Sequence, residues 1–152
     1  MSQIERVELA PGLFVSRAIT GLWQIADMEK GGTTLDPAAT AQYMAAYAEA
    51  GLDTFDMADH YGSAEIIAGY FKKNLPSGKS ANLFTKWVPK PGPVTREEVR
   101  TAVLERCARL QTEKVELLQY HAWKFSNPFW LDALIYLQEL QEEGLIGAIG
   151  VT

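Results

Sequence analysis

Cysteine and long apolar runs are scarce in this sequence, and each scarcity removes a class of protein. A single cysteine among 152 residues, Cys107, permits neither an internal disulfide nor a multi-thiolate metal centre, and no metal site is expected. It sits in the run AVLERCARL, where its expected role is helix packing. No segment reaches the roughly 18 apolar residues that cross a bilayer. The opening MSQIERVELAPG puts Glu5 and Glu8 where a secretory signal needs a basic and then an apolar stretch. The expectation is a soluble, cytoplasmic protein without a membrane partner. Blocks of like charge are missing as well. Nineteen acidic residues are scattered among 14 basic ones for a net charge of -5, which disfavours nucleic acid and anionic membranes as partners. There is no short-period repeat, low-complexity tract or linker, so residues 1–152 read as one domain.

What is present is an alternation of short apolar runs with longer amphipathic ones, beginning after a lead-in that ends near Gly12. The first strand is expected over Ser16 to Gln24, followed by a loop at Gly31 and Gly32. Asp36 and Pro37 then form a helix start, an N-cap followed by a proline in the first turn, and Gly51 ends that helix just after Ala50. The second strand is LDTFDMA, with a helix from Ser63 to Leu75 behind it. The third strand is Asn82 to Lys86. After the proline-rich segment Pro89 to Pro93, Thr95 and Glu98 make a capping box, and Val99, Val103, Cys107 and Leu110 mark one face of a helix. The fourth strand, VELLQY, runs to His121. The fourth helix lies between Phe129 and Glu143, with leucines at 131, 134, 137 and 140, and Gly144 closes it. IGAIGV is the fifth strand.

Strand and helix in strict alternation with short connections imply a parallel sheet covered by helices. The first strand is not followed by a GxGxxG phosphate loop, so the doubly wound dinucleotide fold lacks its marker. The fold class expected is therefore α/β, a partial (β/α)8 TIM barrel of about five strands and four helices. A full barrel needs about 250 residues. The chain reads as truncated, and its open strand edges would favour self-association or a partner chain.

In such barrels the site lies at the C-terminal ends of the strands. Four polar residues fall there: Asp56 ends the second strand, Tyr61 follows in the next loop, Lys86 ends the third, and His121 ends the fourth. Three tryptophans, Trp23, Trp87 and Trp123, also stand near strand ends and are candidates to bind substrate. Taken singly each residue has a plain alternative. Asp56 could cap a turn, Lys86 could be a solvated strand end, Tyr61 could pack in its loop, and the tryptophans could be core.

The stretch AGLDTFDMADHYG, with Glu65 and Gly69 following, resembles the first signature of the aldo-keto reductase family, including the five-residue step from Asp56 to Tyr61. Leu83 to Trp87 is similar to the strand that bears the family's lysine, and Arg109 to His121 to the segment that bears its histidine. Gly21 to Gln24 and Gly147 to Val151 fit as well, so the resemblance covers nearly the whole chain.

The resemblance implies a NADP(H)-dependent oxidoreductase that reduces a small-molecule aldehyde or ketone to an alcohol by hydride transfer. Tyr61 would be the general acid. A free tyrosine has a pKa near 10, and Lys86 beside the hydroxyl is expected to pull that value down. Asp56 would hold Lys86 charged, and His121 would hydrogen-bond the substrate carbonyl. The family's cofactor grips lie mostly in loops after later strands, so the cofactor-binding residues stay unknown. Two other readings remain open, a truncated, non-catalytic interaction module and another barrel enzyme such as an isomerase.

Overall fold

Five parallel strands pair in chain order in the computed structural model, which describes residues 4–27, 35–126 and 128–152. They are β3 (Thr20–Gly21), β4 (Thr54–Asp56), β5 (Asn82–Trp87), β6 (Val115–Tyr120) and β7 (Ile146–Val151). Four helices separate them: α1 (Pro37–Glu49), α2 (Ala64–Lys73), α3 (Arg96–Leu110) and α4 (Phe129–Glu142). The spatial order never reverses, whereas a doubly wound sheet turns back on its first strand. Each unit therefore adds to the same edge, as in the arc of a (β/α)8 barrel. The two open edges among the described residues are β3 and β7.

The strands divide their side chains between two faces. Leu83 and Trp87 of β5 and Leu118 and Tyr120 of β6 join the core beneath the helices, together with Phe55, Ile67, Val103, Leu110, Leu137 and Leu140. Phe84 and Lys86 of β5 and Leu117 and Gln119 of β6 point the other way, into the concave face. This period of two is what places polar groups on the inner surface.

Helix boundaries follow local chemistry. Asp36 accepts from the backbone of Ala38 and Ala39 at the start of α1, and Gly51, at φ +91°, turns the chain after it. Both halves of the Thr95–Glu98 capping box are formed on α3, whose predicted face of Val99, Val103, Cys107 and Leu110 is buried. The Gly31–Gly32 loop lies outside the described residues.

One expectation of the fold is corrected. The strand predicted over Ser16 to Gln24 is instead the two residues of β3, preceded by an antiparallel hairpin of β1 (Arg6–Ala10) and β2 (Leu13–Ser16), with Gly12 at φ +76° in its turn. Ser16 hydrogen-bonds through Oγ to the carbonyl of Ala18, which breaks the extended run between β2 and β3. The hairpin lies against the N-terminal ends of β4 and β5, where Arg6 pairs with Asp53 at 2.8 Å and Asn82 donates to the Phe14 carbonyl at 3.0 Å. The leucines of α4 do not share one face. Its buried residues are Ala133, Leu137 and Leu140, while Leu131 is 48% exposed. A strict three-residue repeat drifts off a face that turns every 3.6 residues.

Candidate active site

The hairpin occupies the N-terminal ends of the strands, and the polar residues gather at the other end. Asp56 is the last residue of β4, Lys86 lies one residue before the end of β5, and His121 follows β6 directly. The strand ladders continue past these points, with Met57 N–H donating to Phe84, Asp59 N–H to Lys86 and His121 N–H to Trp87, each to the carbonyl oxygen at 2.9–3.0 Å. Continuous pairing holds the three strand ends in fixed register.

Lys86 Nζ donates to Asp56 Oδ2 at 2.5 Å and to the Met57 carbonyl at 2.9 Å. The lysine side chain is 12% exposed and the aspartate 31%, so the pair is shielded but not sealed from water. The ammonium also sits over the Tyr61 ring, 5.4 Å from its centroid. Burial, and secondly the Asp56 charge, raise the Tyr61 hydroxyl above its ordinary value near 10. The sequence suggested the opposite shift. Lys86 is already neutralised by Asp56 and faces the ring, so it does not outweigh desolvation at the hydroxyl.

His121 has both ring nitrogens buried without a hydrogen-bond partner among the described residues. Its ring stands edge-on to Trp123 at 4.7 Å; Trp123 reaches His60 at 6.4 Å, and His60 meets Tyr61 at 4.9 Å. The three tryptophans divide. Trp23 packs edge-on against Tyr61 at 4.8 Å, Trp123 is 75% exposed beside His121, and Trp87 joins the helix-side core against Tyr120.

The loop carrying Tyr61 is held from several sides. Gly62 has φ +47°, and the Asp27 carboxylate accepts the Ser63 N–H at 2.8 Å. Glu65, fully buried at the start of α2, accepts from Thr85 Oγ1 at 2.6 Å and lies 2.7 Å from Arg109 Nε and 3.3 Å from Arg106 Nε. The guanidinium N–H groups are not aimed at the carboxylate, so these are ion pairs rather than directed hydrogen bonds. Burial pushes the Glu65 carboxyl up, against the opposing charge of Arg106 and the Thr85 hydrogen bond.

Sequence reasoning overlooked Gln119 and the Glu65–Arg106–Arg109 group as parts of the site. Gln119 donates through Nε2 to Asp56 Oδ1 at 2.9 Å. The signal for it was a polar residue inside an otherwise apolar strand, two positions before His121 and so on the inner face. The arginines sit on α3, and nothing local in the sequence ties them to a loop far upstream.

A family model described as the aldo/keto reductase family matches residues 18–152. The rat aflatoxin B1 aldehyde reductase member 2 is 30% identical over 125 residues, covering 80% of this chain and 34% of that protein. Among solved structures, a putative aldo-keto reductase from Pseudomonas aeruginosa superposes with a TM-score of 0.76 at 24% identity, over 97% of this chain and 60% of the other. A Bombyx mori aldo-keto reductase in complex with NADP gives 0.73 at 20% identity, over 99% of this chain and 51% of its own. The chain thus spans about a third of the curated relative and half to three fifths of these structures. No described helix is long and apolar enough to cross a membrane.

Proposed function

Because this chain belongs to the aldo/keto reductase family, we propose that it serves the NADPH-dependent reduction of a small aldehyde or ketone, with Tyr61 as the proton donor. The observation that carries this reading is the Lys86 ammonium, 2.5 Å from Asp56 and over the Tyr61 ring, with the unpartnered His121 nitrogens in the adjoining aromatic cluster. Solvent-shielded polar atoms without partners are costly unless a ligand completes them.

The residues fit the nicotinamide end of the cofactor. The concave face carries an open hollow of about 620 Å³ whose small residues, Gly21, Ala148 and Gly150, would leave room for a planar ring beside Asp56 and Lys86. Bound there, NADPH would supply the hydride, and the complex of the Bombyx mori protein with NADP supports this choice of cofactor.

Each side chain then has a separate task. Tyr61, with an ordinary value near 10, carries its proton at neutral pH, and burial and then Asp56 disfavour the phenolate further. It would release that proton only to a stronger base, and a carbonyl oxygen becoming an alkoxide is one. Lys86 over the ring would offset the negative charge left on Tyr61. Asp56 supplies the counter-charge of the Lys86 ammonium and aims it. A His121 N–H would orient the carbonyl oxygen and stabilise charge growing on it. Trp23 and Trp123 would flank the substrate, while Trp87 would support them from the core. The lone Cys107 is buried, and burial raises its thiol pKa, which suits a packing role in a reducing cytoplasm.

Titrating NADPH into the purified chain while following tryptophan fluorescence, then its consumption with a generic aldehyde, tests the reading. Quenching and aldehyde-dependent consumption are expected, and Tyr61→Phe should cut the rate by about a hundredfold or more. Two flat signals would overturn a reductase role for this chain and favour the interaction-module alternative.

A further inference from the structure

The Asp56 carboxylate is engaged at both oxygens, and only one of the two contacts belongs to Lys86. Oδ2 receives the lysine at 2.5 Å, and Oδ1 receives the Gln119 amide at 2.9 Å. A carboxylate held at one oxygen can still swing about that contact, whereas a second donor on the other oxygen fixes its plane. Gln119 comes from β6, where its backbone is in register with Lys86 on one side and Gly150 on the other. Its side chain passes along the inner face to reach β4, two strands away. Gly150 leaves room beside that path: a Cβ there would stand 3.1 Å from Gln119 Cγ, so the glutamine side chain would have to give by a few tenths of an ångström.

We propose that Gln119 is a positioning residue of this site, holding Asp56 in the orientation that fixes Lys86 at Tyr61, and that Gly150 keeps open the space in which Gln119 lies. As a statement about carbonyl reduction this rests on the function proposed above; as a statement about Lys86 it does not. The carboxylate offers only acceptors, so the amide nitrogen is the end of Gln119 that must face it. Leucine at 119 would fill much of the same volume and donate nothing. An added methyl at 150 would press on Gln119 Cγ and shift the amide slightly without removing any polar atom. The two changes should therefore act through one contact.

The experiment is competitive acetylation of the folded chain with acetic anhydride, reading Lys86 against the exposed Lys73 and Lys79 by mass spectrometry. Lys86 should react slowly in the parent. In Gln119→Leu its rate should rise about tenfold, the scale of a lost hydrogen bond to a charged group. Gly150→Ala should raise it in the same direction, and the double variant should react no faster than Gln119→Leu alone. Lys73 and Lys79 should not change. An unchanged Lys86 rate in Gln119→Leu, or a Gly150→Ala effect that persists in full without Gln119, overturns the proposal. A rise at every lysine together is loss of fold rather than of position, and it overturns the proposal if it recurs in the replacement pair that follows. If Gln119→Leu does not fold, Gly150→Ala with Gln119→Glu, which sets a like charge against Asp56, gives the same comparison. Where the parent turns over, Gln119→Leu should lower kcat about tenfold with little change in KM. A parent without turnover sinks the reductase reading and leaves the acetylation result to decide this one.

Discussion

Arg109 on α3 donates from Nη2 to the carbonyl oxygen of Gly62 at 2.6 Å, tying the residue after Tyr61 to a helix 47 positions later in the chain. The same guanidinium places Nε 2.7 Å from the buried carboxylate of Glu65. One side chain thus locks a loop and neutralises an interior charge. Arg109→Ala should lower unfolding free energy by about 1–3 kcal/mol, measured by urea denaturation. Arg109→Lys should recover little, because a single ammonium cannot reproduce the fork. Full recovery with lysine would show that charge alone matters there.

Gly69 decides how closely α2 and α3 approach. In an exposed helix, alanine for glycine would stabilise by about 1 kcal/mol. Here an added Cβ would lie 2.5 Å from the Arg109 carbonyl oxygen and 2.7 Å from the Leu110 carbonyl carbon. Backbone cannot yield as a side chain can, so overpacking wins. Gly69→Ala should cost about 1–3 kcal/mol and lower Tm by several degrees. An unchanged or higher Tm would contradict this contact.

Tyr61 sets the alkaline limit of the proposed reaction. Its raised pKa means the protonated form persists past the ordinary value of 10.0. Reduction should not lose rate through this group between neutral pH and about 10, and the basic limb should appear only above that. A limb near 7 or 8 that disappears in Tyr61→Phe would mean that Lys86 dominates after all.

Acid should weaken the ends of α3 and α4. The Thr95 backbone N–H, then its hydroxyl, holds the Glu98 carboxyl below its ordinary value of 4.5, and Arg100, followed by Arg96, does so for Glu143. Their folded pKa values are depressed, so their stabilisation is complete above about 4.5 and is lost as pH falls through the folded values. Thermal melts from pH 6 to pH 3 should show that decline, and Glu98→Gln should flatten it. An equal slope in the variant would remove Glu98 from the account.

Truncating two leucines of α4 separates its buried face from its exposed one. Leu137, fully buried, should lose about 2–5 kcal/mol as Leu137→Ala. Leu131, 48% exposed, should lose less than about 1 kcal/mol as Leu131→Ala. Comparable losses would put both on the core face.

The gathering of the candidate residues at one end of the sheet was legible in the sequence. Asp56, Lys86 and His121 interrupt apolar strands at their C-terminal ends, and strand polarity with alternation places such residues on one rim. The helix caps at Asp36, Thr95 and Glu98 were equally legible, because a cap is a contact between residues two or three apart. The hairpin of β1 and β2 was not, since β1 is exposed almost throughout and β2 buries two consecutive residues, Val15 and Ser16, rather than alternate ones.

Local order along the chain determined the strand-helix alternation, the caps, and the residue types at the strand ends, because each depends on neighbours within a few positions. Only the tertiary structure decided that Gln119 meets Asp56, that Arg109 grips Gly62, and that the Tyr61 hydroxyl is pushed up rather than down. Those outcomes depend on distances between residues far apart in sequence, and on how much water the folded chain leaves around each charge.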